Sequence, residues 1–172
     1  MDATVLRALA RWPAVPAVYG WLLLDRRGEW RLRTGPGEGA SFERIGNAAL
    51  REFIARNYAS DDRGCWYFQN GPQRVYVRLA YTPRVWRLDG ERLYDHRGHA
   101  ADGPREAWLD EEGSLILADR AGVGVLDDRD LARAAEGISG ANIAICGSEL
   151  QLGSVASDAL PRRFGFQREP QP

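Results

Sequence analysis

The stretch from Cys65 to Tyr81, CWYFQNGPQRVYVRLAY, constrains the fold of this chain more than any other. Apolar side chains recur at every second position on both sides of Asn70-Gly71-Pro72, which is typical of β-strands with one buried face. Asn-Gly favours a tight reversal because both residues tolerate positive φ. The stretch therefore predicts a β-hairpin. Its inward face would consist of Trp66, Phe68, Val75, Val77, Leu79 and Tyr81.

The opposite face of this hairpin combines aromatic and cationic side chains. It would present Tyr67, Gln69, Arg74, Tyr76 and Arg78. Arg and Tyr are enriched in protein interfaces, and aromatic rings beside Arg can also stack on bases. The alternative is ordinary cross-strand pairing on a sheet. We interpret the face as an exposed surface for a protein partner or for self-association. Nucleic acid is an unlikely ligand, since the net charge is only −1.

The remaining patterns predict an α+β fold in which antiparallel sheets are built from hairpins, with two internal helices. Helical spacing indicates helices over 3–11 and 43–57, and Asp127 or Asp128 would cap another that stops at Gly137. Alternating or apolar runs predict strands at 18–24, 29–33, 85–88, 91–94, 106–109, 114–118, 123–126, 143–146 and 149–152. The tail from 161 to 172 would be loosely held, with Phe164 and Phe166 as its docking residues.

Two similar turns suggest an internal repeat. Leu24-Asp25-x-x-Gly28 and Leu109-Asp110-x-x-Gly113 each join two predicted strands. The order ββαββ would then occur near 17–81 and again near 106–153, within one compact unit of residues 1–172. The hairpin at 83–105 would be an insert between the halves. Chance similarity of two hairpin-helix-hairpin units is the competing explanation.

The only two histidines, His96 and His99, lie in a loop flanked by Asp95 and Asp102. Imidazole and carboxylate groups suit zinc and other divalent ions. Three-residue spacing in a loop does not force both rings to one point, so a solvated loop is the alternative. This segment carries the second functional hypothesis, a metal-dependent enzyme. A third is a ligand-binding module with its pocket between the two halves.

Several function classes are disfavoured. The chain has no lysine, so it lacks a Walker loop, and Gly35, Gly37 and Gly39 do not have dinucleotide-loop spacing. No serine lies in G-x-S-x-G, and two cysteines are too few for a disulfide scaffold. We therefore expect a binding module rather than an enzyme, with no cofactor. The absence of a signal-peptide pattern or a long apolar run predicts a cytoplasmic protein that does not enter membranes.

The run from Phe68 to Val77, followed by an aromatic hairpin and His96-x-Gly98, resembles a family of uncharacterised proteobacterial proteins. The resemblance covers about residues 15–135. It implies a bacterial origin but no activity, cofactor or catalytic residue.

Overall fold

The computed structural model describes residues 1–37 and 39–172. They divide into two compact units. The first contains residues 1–25, 29–80 and 165–172, and the second contains residues 26–28 and 81–164. The helices are α1 (Ala3–Arg11), α2 (Ala48–Arg56), α3 (Leu131–Ala135) and α4 (Leu160–Phe164).

The first unit contains a six-stranded mixed sheet. Its strands are β1 (Val18–Leu24), β2 (Trp30–Arg33), β3 (Phe42–Arg44), β4 (Tyr58–Ser60), β5 (Trp66–Asn70) and β6 (Gln73–Leu79). The strand order is β3-β2-β1-β6-β5-β4. Neighbouring strands are antiparallel except β1 and β6, which are parallel. The register of β1 against β6 shifts between Val18 and Leu22, and Gly20 in this bulge has φ +76°.

The predicted central hairpin is confirmed as β5 and β6. Phe68 pairs with Val75, and the turn between the strands has two residues, the first being Gly71 with φ +56°. The side chains of Phe68 and Val77 are buried, and the Phe53 ring of α2 packs edge-on against Phe68 at 5.3 Å. Alternation then directs Arg74, Tyr76 and Arg78 to the face opposite α2.

The second unit contains an eight-stranded mixed sheet. Its strands are β7 (Arg84–Asp89), β8 (Arg92–Asp95), β9 (Glu106–Leu109), β10 (Leu115–Asp119), β11 (Gly122–Leu126), β12 (Ile138–Ser139), β13 (Asn142–Ile145) and β14 (Ser148–Ser154). The strand order is β12-β13-β14-β9-β10-β11-β7-β8, with parallel pairs at β14–β9 and β11–β7. Its core is mostly aliphatic and includes Leu115, Leu117, Leu126 and Ile143.

The α+β class is confirmed, but the prediction of purely antiparallel sheets is wrong. Three pairs of the strands that the structure describes are parallel, and the strands of each pair are far apart in sequence. A tight turn forces only consecutive strands to be antiparallel, so it does not restrict the pairing of β1 with β6 or of β9 with β14. The hairpin of β7 and β8 is confirmed, and it pairs into the sheet of the second unit.

The predicted helix over 43–57 starts five residues before the observed helix α2. Phe42–Arg44 is strand β3, and α2 starts at Ala48 after Asn47, whose side-chain oxygen accepts a hydrogen bond from the backbone N–H of Leu50 at 3.0 Å. Short strands β3, β4 and β12 were not predicted, because two or three residues carry too little alternation. The predicted ββαββ units are therefore not confirmed, since three strands precede and three follow the central helix in each block.

Four hairpins turn on the same Asp-x-x-Gly motif. In each, the first Asp Oδ accepts a backbone N–H from the residue after the glycine, and the glycine has φ between +75° and +82°. The other Asp Oδ accepts from a side chain, either an Arg guanidinium or a Tyr hydroxyl. The motifs are Asp25–Gly28, Asp61–Gly64, Asp95–Gly98 and Asp110–Gly113.

The segment from 165 to 172 is docked, so the prediction of a loosely held tail is wrong. Phe166 is buried, which confirms its predicted docking, and Phe164 packs edge-on against Trp108. Gln167 donates its backbone N–H to the Gly64 carbonyl at 3.0 Å, and the Leu79 N–H donates to the Arg168 carbonyl at 2.8 Å. Backbone pairing holds this segment against the first unit's sheet.

Candidate functional site

The face of the central hairpin that was predicted to be exposed is largely covered. Tyr67, Gln69 and Tyr76 are 7%, 0% and 5% exposed, so the expectation of an exposed Tyr/Arg surface is wrong for these residues. Tyr19 stacks on Tyr76 with ring centroids 4.5 Å apart, and the Arg74 guanidinium lies 4.5 Å from the centre of the Tyr67 ring. Period-two alternation identifies which side chains share a face but not what covers them.

Hydrogen bonds to Asp61 hold the buried Tyr76 side chain and the backbone of Cys65 in place. The Tyr76 hydroxyl donates to Asp61 Oδ2 at 2.9 Å. Burial raises the pKa of Asp61, but hydrogen bonds from the Cys65 N–H and from Tyr76 outweigh it, so this pKa lies below its usual value. Burial also raises the pKa of the Cys65 thiol. A buried thiol with a raised pKa is a poor nucleophile. We therefore assign Asp61, Cys65 and Tyr76 a structural role.

Arg78, the last residue of the predicted face, lies in a different environment. Its side chain is 50% exposed, and Nη2 lies 2.6 Å from Oε1 of Glu169 in the docked segment. It lines a groove of about 350 Å³ in the first unit. The groove is lined by Gly20, Arg33, Ala40, Phe42, Arg78, Glu169, Pro170 and Gln171. We call these residues the arginine groove.

Arg33 is the second cationic residue of the arginine groove. It lies at the end of β2, it is partly buried, and its Nη2 donates to the Gly37 carbonyl at 2.7 Å. Its Nη1 would lie 3.9 Å from a Cβ placed on Gly20, the residue of the β1 bulge. The bulge therefore brings the backbone of β1 close to the Arg33 guanidinium, and the carbonyl contact restricts its orientation.

Neighbouring arginines of the same sheet already have carboxylate partners. Arg31 pairs with Asp25 at 2.6 Å, and Arg44 pairs with Glu29 at 2.8 Å. In the arginine groove, by contrast, the described lining residues supply two guanidinium groups and one carboxylate, that of Glu169. The described part of this groove therefore carries a net positive charge.

The two predicted metal ligands lie in different environments. His96 is partly buried, with its Nε2 shielded from solvent, and its Nδ1 accepts the backbone N–H of Val85 at 3.4 Å. The His99 side chain is 62% exposed. Within residues 1–37 and 39–172, no group of three His, Cys, Asp or Glu residues is arranged to hold a metal ion. Burial lowers the pKa of His96 to about 3, so its imidazole is neutral at physiological pH.

The second unit has grooves of its own. One of about 570 Å³ is lined by acidic side chains, among them Asp110, Glu111 and Asp158. Asp110 and Glu111 already accept hydrogen bonds from Tyr81 and Ser157. Two others, of about 310 and 400 Å³, share Cys146, and burial raises the pKa of its thiol. Of these polar groups, Asp110 and Glu111 are therefore engaged within the fold, and the Cys146 thiol is a poor nucleophile.

A protein-family model described as "Protein of unknown function (DUF2946)" and named DUF2944 matches residues 1–171. The chain belongs to this family. The resemblance to a family of uncharacterised proteins is thereby confirmed, and membership indicates no specific function. No curated protein matches the sequence.

A solved structure has a similar fold. The crystal structure of a DUF1285 family protein from Silicibacter pomeroyi DSS-3 matches with a TM-score of 0.53 and 16% sequence identity. The match covers 88% of this chain and 95% of that one. At this identity the similarity establishes the fold alone. No helix in the described part of the chain has the length and apolar character needed to span a bilayer.

Sequence reasoning identified Arg78 but missed Arg33. The two residues are 45 positions apart and lie on strands that flank β1, a neighbourhood created by the parallel β1–β6 pair. The sequence of Trp30–Arg33 does indicate that Arg33 shares a strand face with Arg31, because charged and apolar residues alternate there.

Proposed function

We propose that this protein is a binding module that holds a small oxyanion-bearing molecule in the arginine groove. The observation that carries the proposal is the placement of Arg33 and Arg78 around one groove with a single described carboxylate. The guanidinium group offers a planar fork of donors that matches a carboxylate or a phosphate. The ligand class is therefore defined by an oxyanion.

The groove also has an apolar wall, formed by Ala40, Phe42 and Pro170. Small-molecule sites combine apolar walls with a few placed polar groups. A ligand with a short apolar or aromatic part beside its oxyanion fits this combination better than a bare inorganic ion. Ser, Cys, Thr and His do not occur among the described lining residues, which favours binding over nucleophilic catalysis.

The test is a titration of the full ¹⁵N-labelled chain with phenyl phosphate, benzoate and inorganic phosphate, followed through the arginine Nε–H signals. We expect phenyl phosphate or benzoate to shift the signals of Arg33 and Arg78 and to bind more tightly than inorganic phosphate. Comparing the two aryl probes distinguishes a phosphate ligand from a carboxylate ligand. Arg33→Gln and Arg78→Gln should each weaken binding about tenfold, since a charge-assisted hydrogen bond contributes about 1.5–3 kcal/mol.

Arg44→Gln is the matched control. Arg44 lies in the same sheet and carries the same charge, but it pairs with Glu29 and does not line the groove. Binding that Arg44→Gln weakens as much as Arg78→Gln would reflect general charge attraction and contradict the proposal. So would the absence of any shift with all three probes.

We also infer that the two units derive from an internal duplication. In support, β1–β6 and β9–β14 follow one order, in which three antiparallel strands, a helix and three further strands place the last strand parallel to the first. An Asp-x-x-Gly turn joins the first two strands in both blocks. Superposition of the two blocks in an experimental structure tests this inference, and a failure to superpose in this order would contradict it.

A further inference from the structure

The arginine groove contains an acidic side chain of the chain itself. Glu169 lies 2.6 Å from Arg78, which is the position a bound carboxylate or phosphate would take. We infer that Glu169 is an internal competitor for the ligand of this groove, so that the oxyanion must displace it from Arg78. This inference rests on the proposed function.

The backbone on both sides of Glu169 is held in place. The Arg168 carbonyl accepts from the Leu79 N–H at 2.8 Å, Phe166 is 4% exposed, and Pro170 is buried. The Glu169 carboxylate therefore stays near Arg78 even when the ion pair opens. Such tethering gives it a high effective concentration at the groove.

The ion pair itself is weak enough to be displaced. The two side chains are 50% and 59% exposed, and exposed ion pairs contribute little because water screens them and their side chains lose entropy. An incoming ligand can also contact Arg33, whose guanidinium donates to the Gly37 carbonyl, whereas Glu169 pairs with Arg78. The ligand would then interact with two guanidinium groups where Glu169 pairs with one. The ligand can therefore take the place of Glu169 while the backbone of the segment remains docked.

The experiment compares the wild-type chain with Glu169→Gln in the phenyl phosphate and benzoate titrations. Removing the competing charge should tighten binding of the better probe about two- to fivefold, which is the range expected for an exposed ion pair. Thermal unfolding of both proteins should be similar, since the backbone contacts of Arg168 do not depend on the Glu169 side chain.

Glu43→Gln provides the charge control. Glu43 is an exposed acidic residue of β3 in the same sheet, it does not line the groove, and its replacement alters the net charge equally. The inference is supported when Glu169→Gln tightens binding and Glu43→Gln does not. It is overturned when the wild type binds but Glu169→Gln binds equally or more weakly, or when both variants tighten binding equally. No binding to either wild type or Glu169→Gln refutes the proposed function, and this inference with it.

Discussion

Six strands of each unit follow the same order, but the two units differ in how deeply their charged side chains are buried. In the second unit Arg84, Asp95 and Asp119 approach one another with side chains 8% exposed or less. In the first unit Arg78 and Glu169 are half exposed at the rim of a groove. Arg84 and Asp95 lie on β7 and β8, the two strands that the second unit adds to the shared order, so the buried ionic cluster is built largely outside it, whereas the accessible arginines of the first unit lie on β2 and β6 within it. A shared strand order therefore does not imply a shared function, because the side chains at a site determine what it binds.

Removal of the Asp95 carboxylate should have the largest effect. Asp95→Ala deletes a buried partner of Arg84 and Arg97 and the acceptor for the His99 N–H. We expect a loss of about 3–5 kcal/mol in the free energy of unfolding, because a buried charge loses its compensation. Urea denaturation followed by circular dichroism measures it.

Asp25→Ala is the comparison from the first unit. Asp25 occupies the same turn position, but its partner Arg31 is 37% exposed and remains hydrated after the change. Its loss should be about 1–2 kcal/mol, from hydrogen bonds alone. Equal effects of the two substitutions would show that burial of the charges does not distinguish the units.

Alanine substitutions at two turn glycines should distinguish the stability cost of backbone strain from the cost of a clash with a distant segment. Gly64 in the first unit and Gly113 in the second have φ of +75° and +79°. A Cβ on Gly64 would lie 2.1 Å from the Gly165 carbonyl oxygen, whereas a Cβ on Gly113 meets no atom within 4 Å. We expect Gly113→Ala to cost about 1 kcal/mol and Gly64→Ala about 3 kcal/mol, since overpacking adds to the strain.

The measurement is again the free energy of unfolding. Gly64→Ala should also loosen the segment from 165 to 172, which amide hydrogen exchange of Phe166 and Gln167 would detect. Similar costs for both variants, with unchanged exchange, would show that the segment does not depend on the close approach at Gly64.

Acidification should act on the second unit, because it holds both histidines. Burial lowers the pKa of His96 to about 3 even though Asp95 raises it, while Arg97, Arg84 and His99 lower it further. Unfolded histidine titrates near 6.5. The folded state therefore excludes the proton, so stability is complete above pH 6.5 and declines as the pH falls towards 3.

Between pH 7.5 and pH 5 we expect a loss of about 2 kcal/mol in the free energy of unfolding. His99→Gln, a change at an exposed ring, should keep this loss, and His96→Gln should remove most of it. An unchanged pH dependence in His96→Gln would assign the effect to other groups.

Local patterns predicted several elements well. The alternation around Asn70-Gly71 predicted the pairing of β5 with β6, and the Asp127 cap predicted the following helical segment, because both depend on neighbouring residues. The burial of Tyr67 and Tyr76 could not be predicted in this way. Tyr19 of β1 stacks on Tyr76 and packs against the cluster that contains both rings, and it does so across a parallel strand pair that no turn motif indicates.

The sequence by itself determined which side chains share a strand face and where the chain reverses, since alternation and Asp-x-x-Gly turns act over a few residues. Tertiary structure alone decided which face is covered and which charges remain accessible. Arg33 and Arg78 come together because β1 lies between their strands, and Glu169, which is 91 residues after Arg78, pairs with Arg78 from the docked segment. These contacts depend on packing between segments that are distant in sequence, and short-range sequence patterns do not determine them.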